Sequence, residues 1–471
     1  MSSKFSKFQF KMPNALVLLF TIMMVMMVLT WVVPAGQFER VLVEERTVLV
    51  PGSFTFIESN PQTPFELILA LPKAFMDVGS IVFFLFITGG SFKLITETGI
   101  LEALMGRLVK LLKGHEEIFI PILVFVTGLG GATLGLAEEI ILFIPIGIAL
   151  SRALGYDAMV GVAVLILGAA VGFNAGFMNP FSVGVAQTLA ELPLFSGVGL
   201  RIVLFIILWA VTSFYIMRYA KRVKTRPETS AVADLEASDK DAADYVDLNY
   251  QELPPFNNRH KGIAIALFIG FAMMIYGVFK IGWFIDELGA MFFTMAIVSA
   301  LIGGLSTGEI ADTFVAGAKE MMFSVLAIVF ARGILVVMEN GMILDTIIYY
   351  LVQVVNIFPA ILGSVGMYVI QILINFFIPS GSGQAAATMP IMLPIADSLN
   401  ITRQTAVLAF QLGSGFMDAI IPTSGVLMAE LSLAKIPYNK WFKWFVPLLT
   451  IYIVIGLIFL IAAHVIGYGP F

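Results

Sequence analysis

Apolar runs follow one another along almost the whole chain, and that succession narrows the possible folds more than any other feature. They fall at about residues 14–34, 66–96, 117–127, 140–154, 157–174, 198–217, 262–284, 288–305, 320–338, 342–378, 389–398, 404–416 and 445–466. A helix needs about 20 such residues to cross a hydrocarbon layer about 30 Å thick. Hydrophobic types make up 59 % of the 471 residues and charged types 13 %, against about 45–50 % and about 25 % in soluble domains. The solvent for such a surface is lipid. The fold class expected is an all-α membrane protein, and a soluble enzyme with a single anchor is excluded. A net charge of −5 with no basic stripe excludes a nucleic-acid partner.

The chain has no cysteine, so thiolate chemistry and disulfides are ruled out. His115, His260 and His464 are scattered, which argues against a histidine metal cluster. The first run, 15–33, follows Lys4, Lys7 and Lys11 and ends at Val33-Pro34-Ala35-Gly36. It exceeds the roughly 7–15 residues of a signal h-region, so we read it as a retained first helix with a cytoplasmic N-terminus. The one long polar stretch opens with Arg218, Lys221, Arg222, Lys224 and Arg226 and continues with acidic residues. It reads as a charged cytoplasmic linker at 221–261.

That linker separates two halves, 1–220 and 262–471, that repeat one another. Glu97-Thr98-Gly99 returns as Glu339-Asn340-Gly341, Gly176-Phe177-Met178-Asn179 as Gly415-Phe416-Met417-Asp418, and Ala190-Glu191-Leu192 as Ala429-Glu430-Leu431. Basic residues flank opposite ends of the last helix of each half: the Arg218 cluster follows one, while Lys435, Lys440 and Lys443 precede the other. This predicts inverted repeats, with 262–284 as the odd crossing between them.

Transport needs polar groups at bilayer depth, and broken helices supply them as free backbone N–H and C=O. Four glycines between Gly128 and Gly135 weaken a helix by about 1 kcal/mol each, so 128–135 is expected to be a turn at the tip of a re-entrant hairpin, with Gly130, Gly131 and Thr133 facing a solute. Residues 379–388 read as the second tip, through Ser380, Ser382, Gly383 and Gln384. The alternative for both is close helix packing through small residues. Broken helices are expected at 174–182 and 414–425, where Asn174, Asn179, Ser182, Ser414, Asp418, Thr423 and Ser424 offer oxygens to a solute or a coupling Na⁺ beside Pro180 and Pro422. An ordinary proline kink would look similar.

Glu138 and Glu139 lie in an otherwise apolar segment, where one carboxylate costs about 2.5–3.5 kcal/mol to insert. They suit an ammonium group or a coupling H⁺, or else an interfacial position. Arg332 is a candidate counter-ion of Asp418 or a clamp for a carboxylate. Arg152, Lys319, Glu97 and Glu339 read as interfacial or structural. No cofactor is implied, and no metal beyond Na⁺. An ion channel lacks its carbonyl filter or charged ring here. An intramembrane enzyme lacks any His-Glu-x-x-His or Gly-x-Ser-x-Gly motif.

Several segments resemble the YfcC-type branch of the DcuC-like anaerobic C4-dicarboxylate carriers: Gly135-Leu136-Ala137-Glu138-Glu139, 179–184 (NPFSVG), 378–383 (IPSGSG), 403–411 (RQTAVLAFQ) and 421–425 (IPTSG). The resemblance implies the ion transporter superfamily in a bacterial inner membrane: a homodimer with a scaffold and a transport domain moving as an elevator. Its members are assigned to C4-dicarboxylates or to basic amino acids. Relatives often carry Asp then Asn where this chain has Ser414 and Asp418, which moves a carboxylate. Three carboxylates favour a basic amino acid as the small-molecule substrate, by uptake or exchange. The alternative is a C4-dicarboxylate coupled to Na⁺ or H⁺.

Overall fold

The computed structural model describes residues 15–43, 46–100, 103, 116–133, 135–236, 256–281, 283, 285–353 and 360–469. Nineteen helices are described within them. α1 is Ala15–Leu29, α2 Pro64–Asp77, α3 Gly79–Glu97, α4 Phe119–Thr133, α5 Ile144–Ala153, α6 Ala158–Ala175, α7 Val185–Leu189, α8 Val198–Thr225 and α9 Ala233–Glu236. α10 is Asn258–Tyr276, α11 Ile285–Gly303, α12 Thr307–Glu320, α13 Met322–Asn340, α14 Leu344–Gln353 and α15 Ala360–Asn375. α16 is Gly381–Ser398, α17 Arg403–Asp418, α18 Gly425–Leu433 and α19 Tyr438–Val465. Among the described residues, six helices are long and apolar enough to cross a membrane, or seven if the pair bent by 83° between α13 and α14 counts as one span.

Local chemistry sets the boundaries. α2 and α12 each begin with a capping box, Thr63 with Glu66 and Ser306 with Glu309, in which side chain and backbone satisfy each other's free groups. The apolar run 66–96 therefore divides at Val78 into amphipathic α2 and apolar α3. The run 342–378 divides likewise into α14 and α15. Asp157 caps α6 by accepting from Val160 N at 3.0 Å.

α1, α2, α3, α11, α12 and α13 pack on one another. A separate apolar cluster around Phe84, Leu94, Phe292 and Met295 fills the seam between α3, α10 and α11. The other body is built on α6, whose residues are nearly all buried, flanked by α4, α5, α8 and α17. α8 and α19, each of 28 residues, run antiparallel. Tyr215 OH donates to Trp444 O at 2.5 Å at one end, Thr212 meets Tyr452 at 2.5 Å midway, and Tyr468 OH donates to Gly197 O at 2.5 Å at the other.

The linker expectation needs correction at its start. α8 continues to Thr225, and residues 226–236 are docked rather than free. Asp157 Oδ2 accepts from Tyr219 OH at 2.5 Å and Ser230 Oγ at 2.6 Å, Tyr219 OH accepts from Ala231 N, and Lys440 pairs with Asp234. Residues 237–255 lie outside the described set. Between α1 and α2, strands β1 (Gly36–Gln37) and β4 (Thr55–Phe56) pair antiparallel, as do β2 (Arg40–Val43) and β3 (Arg46–Leu49). This small cap is held to α14 by Arg40–Asp345 at 2.7 Å and by Phe54 stacked on Tyr349 at 4.1 Å between ring centroids.

Candidate functional site

Four breaks in apolar helices converge. The first lies between α4 and the 3₁₀ turn Glu138–Phe143, the second between α6 and α7, the third between α15 and α16, the fourth between α17 and α18. The expected turn at 128–135 is not there: Gly128 to Thr133 stay helical, and the break comes at Gly135–Ala137. The glycines serve contact instead. A side chain on Gly172 of α6 would strike Gly128 O, and one on Gly131 would strike Ala169 O. Gly130 packs on Leu136, and Thr133 Oγ1 returns to Leu129 O at 2.6 Å. Gly135 itself takes φ +72°, the left-handed region open to glycine. The expected tip at 379–388 is likewise helical from Gly381 onward, and the break sits before it, with Ser380 capping α16 through Gly383 N at 3.2 Å.

A cavity of about 570 Å³ opens where the breaks meet, within the roughly 300–1,000 Å³ usual for small-ligand sites. Of the residues singled out in the sequence, Glu138, Ser380, Ser382, Asp418, Thr423 and Ser424 line it. So do Asp77, Arg332 and Glu430. Arg332 is neither alone nor bonded to Asp418. Its Nε and Nη2 donate to Asp77 Oδ2 at 2.9 and 2.8 Å, and Nη2 lies 3.6 Å from Glu339. Ser424 caps α18 through Leu427 N at 3.4 Å, while the buried Thr423 Oγ1 has no partner among the described residues.

The remaining expected residues stand behind this lining. Asn179 is fully engaged: Oδ1 accepts from Phe181 N and Ser182 N, and Nδ2 donates to Gly131 O at 2.9 Å, tying the second break to α4. Glu139 accepts from Ala137 N at 3.1 Å. Ser182 accepts from Gln411, whose amide also donates to Phe173 O. Asn174 Nδ2 donates to Ala170 O at 2.6 Å, and its Oδ1, beside Gly415, has no partner among the described residues.

Asn375 Nδ2 reaches Asp418 Oδ1 at 2.9 Å, Gln384 Oε1 at 3.0 Å and Ser414 Oγ at 3.4 Å. Gln384 donates to Gln371 Oε1 at 2.7 Å, and Gln371 to Thr388 at 2.9 Å. This polar chain lies buried between α15, α16 and α17 and fixes one oxygen of Asp418, so Gln384 and Ser414 support that carboxylate rather than line the cavity. The sequence reading passed over Asn375, Gln371 and Gln411. The four-residue spacings 371/375 and 384/388, which put each pair on one helix face, were the available signal.

A model of the DcuC family, "C4-dicarboxylate anaerobic carrier", matches residues 12–465. "Putative basic amino acid antiporter YfcC" of Escherichia coli (strain K12) is 33 % identical, with 97 % of each chain covered. An uncharacterized protein of Haemophilus influenzae is 29 % identical, with 98 % of each covered. The solved Alcanivorax borkumensis YdaH transporter aligns at a TM-score of 0.44 and 13 % identity, over 97 % of this chain and all of that one. Neisseria gonorrhoeae MtrF aligns at 0.42 and 16 %, over 96 % of this chain and 95 % of that one.

Proposed function

This multi-pass membrane transporter belongs to the DcuC family, and on that footing we propose that it carries a basic amino acid, by uptake or exchange. The observation that carries this reading is the charge of the cavity. Glu138, Asp418 and Glu430 line it against a single guanidinium, Arg332, already held by Asp77. A unit charge 4 Å from a like charge costs about 4 kcal/mol at an effective dielectric of 20. A dianion would meet several such terms, whereas a guanidinium or ammonium group gains them. Arg332, lining the same cavity, offers the amino acid's own carboxylate a partner. The name of the Escherichia coli relative agrees with this solute.

In the proposed mechanism the two halves are inverted repeats. The antiparallel pairing of α8 with α19, equal in length, supports this, as does the parallel order helix–break–helix in 119–225 and 360–465. α4–α8 and α15–α19 form the moving transport body; α1–α3 and α10–α14 form the scaffold. Glu138, Asp418 and Ser380 then travel with the solute, and Arg332 meets it in the end state described here. Ser382, Thr423 and Ser424 complete the solute shell, and Asn174, Asn179, Ser182 and Ser414 hold the breaks in shape around it.

The family description favours a second reading, a C4-dicarboxylate. Liposomes loaded with purified protein and challenged with labelled arginine, ornithine, succinate and fumarate, with and without Na⁺ and pH gradients, separate the two. Saturable arginine or ornithine uptake supports the first reading; uptake of the diacids alone overturns it.

A further inference from the structure

Glu430 is 4 % exposed, on the short helix α18, with its side chain on the cavity wall. Among the described residues its carboxyl group has no hydrogen-bond donor and no ion-pair partner, and its charged neighbour is another carboxylate, Glu138. The two come from different halves of the chain, brought together where α18 packs on the Glu138–Phe143 turn. Thr423, just before α18, also lines the cavity and adds a buried hydroxyl oxygen with no partner among the described residues.

The charged and titratable groups on the elements around α18 do not neutralise the pair. On α13, Arg332 is taken by Asp77 and Glu339. On the 3₁₀ turn, Glu139 accepts from Ala137 N. On α19, Tyr438 OH donates to Ile420 O, Lys440 binds Ala231 O and Asp234, and Lys443 stands three residues further along the helix. α5 brings Arg152, which lies near its C-terminal end and is engaged elsewhere. On α17, Asp418 is itself a carboxylate, whose Oδ1 accepts from Asn375 Nδ2. An ionised carboxylate without donor or cation is costly at bilayer depth, and two facing each other cannot both ionise cheaply.

We propose that Glu138 and Glu430 form the proton-carrying site of this transporter. One proton is shared by the pair while the cavity is empty. When the solute's cationic group enters, that proton leaves the carboxyl O–H for water, and the carboxylate left behind pairs with the cation. Proton and cationic solute then occupy the site in alternation and move in opposite directions. The inference rests on the cationic-solute reading only for the group that displaces the proton.

Proteoliposomes with a trapped pH dye, clamped at zero potential, test it. Adding labelled arginine outside alkalinises the lumen as protons leave. The readout is protons moved per arginine, a ratio that slower transport does not mimic. Glu430→Gln lowers that ratio at least tenfold, and Glu430→Asp retains it. An unchanged ratio in Glu430→Gln, or wild-type arginine entry with no proton movement, overturns the proposal.

A second measurement needs no variant. Dicyclohexylcarbodiimide attacks protonated carboxyl groups in apolar surroundings. It is expected to modify Glu430 or Glu138 in the wild-type protein, mapped by peptide mass spectrometry, with saturating arginine slowing the reaction at least tenfold. Modification of neither residue overturns the proposal. If succinate rather than arginine proves to be the solute, the transport reading fails. The unprotected carbodiimide map and the dye ratio with succinate still decide whether this pair carries the proton.

Discussion

Replacing Arg332 by glutamine separates the two ends of the proposed solute. The guanidinium spends Nε and Nη2 on Asp77, at 2.9 and 2.8 Å, and Nη1 has no protein partner among the described residues. Arg332 lines the cavity. A charge-assisted hydrogen bond contributes about 1.5–3 kcal/mol. The side chain is 29 % exposed, and water competition places the value near the lower end. At about 1.4 kcal/mol per factor of ten, Arg332→Gln should raise the half-saturating arginine concentration about tenfold. Agmatine, which is arginine without its carboxylate, supplies the control. It has nothing for Arg332 to hold, and removing a cation from the cavity favours a dication, so its affinity should hold or improve. Competition of each compound against labelled arginine in proteoliposomes gives both values. Equal losses for arginine and agmatine would make Arg332 a structural partner of Asp77, and no loss for either would remove it from the solute's path.

Asp418→Asn keeps an oxygen for Asn375 but removes the charge, about 4 kcal/mol of attraction to a cation 4 Å away. Labelled arginine uptake should fall at least a hundredfold while the melting midpoint in detergent moves little; intact uptake removes Asp418 from the site. Gly172→Ala drives a methyl group against Gly128 O and to 2.6 Å from Ala132 N. Both are backbone, so α4 and α6 must part at about 1–3 kcal/mol, with a lower melting midpoint. Gly199→Ala, where a methyl meets nothing within 4 Å, is the matched control, and equal shifts would refute the packing argument. Lys440 holds the Asp234 carboxyl below the usual aspartate range. The contact therefore contributes fully above the ordinary aspartate pKa and is lost as pH falls through the lowered folded value. Asp234 is mostly exposed, so the contribution is under about 1 kcal/mol. Nicking of 226–236 by an acid-active protease should increase on acidification in the wild type and be pH-insensitive in Lys440→Gln.

The sequence located the breaks but not their tips. Proline, asparagine and serine at 179–182 and 421–424 interrupt helices for local reasons, and the structure interrupts them there. Gly128 and Gly131 looked like turn formers in isolation; whether a glycine ends a helix or admits a neighbouring backbone is decided by what packs on it. The repeat of Ala190-Glu191 as Ala429-Glu430 was visible, yet it concealed a divergence. Glu191 reaches solvent and Arg403 at 3.0 Å, while Glu430 is buried beside Glu138. Positions that match along the sequence thus stand in opposite surroundings through tertiary packing, which a pattern along the chain does not encode. Arg332 stood out as an intramembrane cation, but Asp77 was hidden at the end of an amphipathic helix, where an acid reads as ordinary surface.

Residues 226–236 fasten three separate places: Asp157 at the head of α6, Tyr219 near the foot of α8 and Lys440 at the opening turn of α19. The spatial relation of those helices is thus held by eleven residues acting as a staple. Cutting the chain between Ser230 and Asp234 would free α6, α8 and α19 from this shared fastening without touching a residue of the cavity.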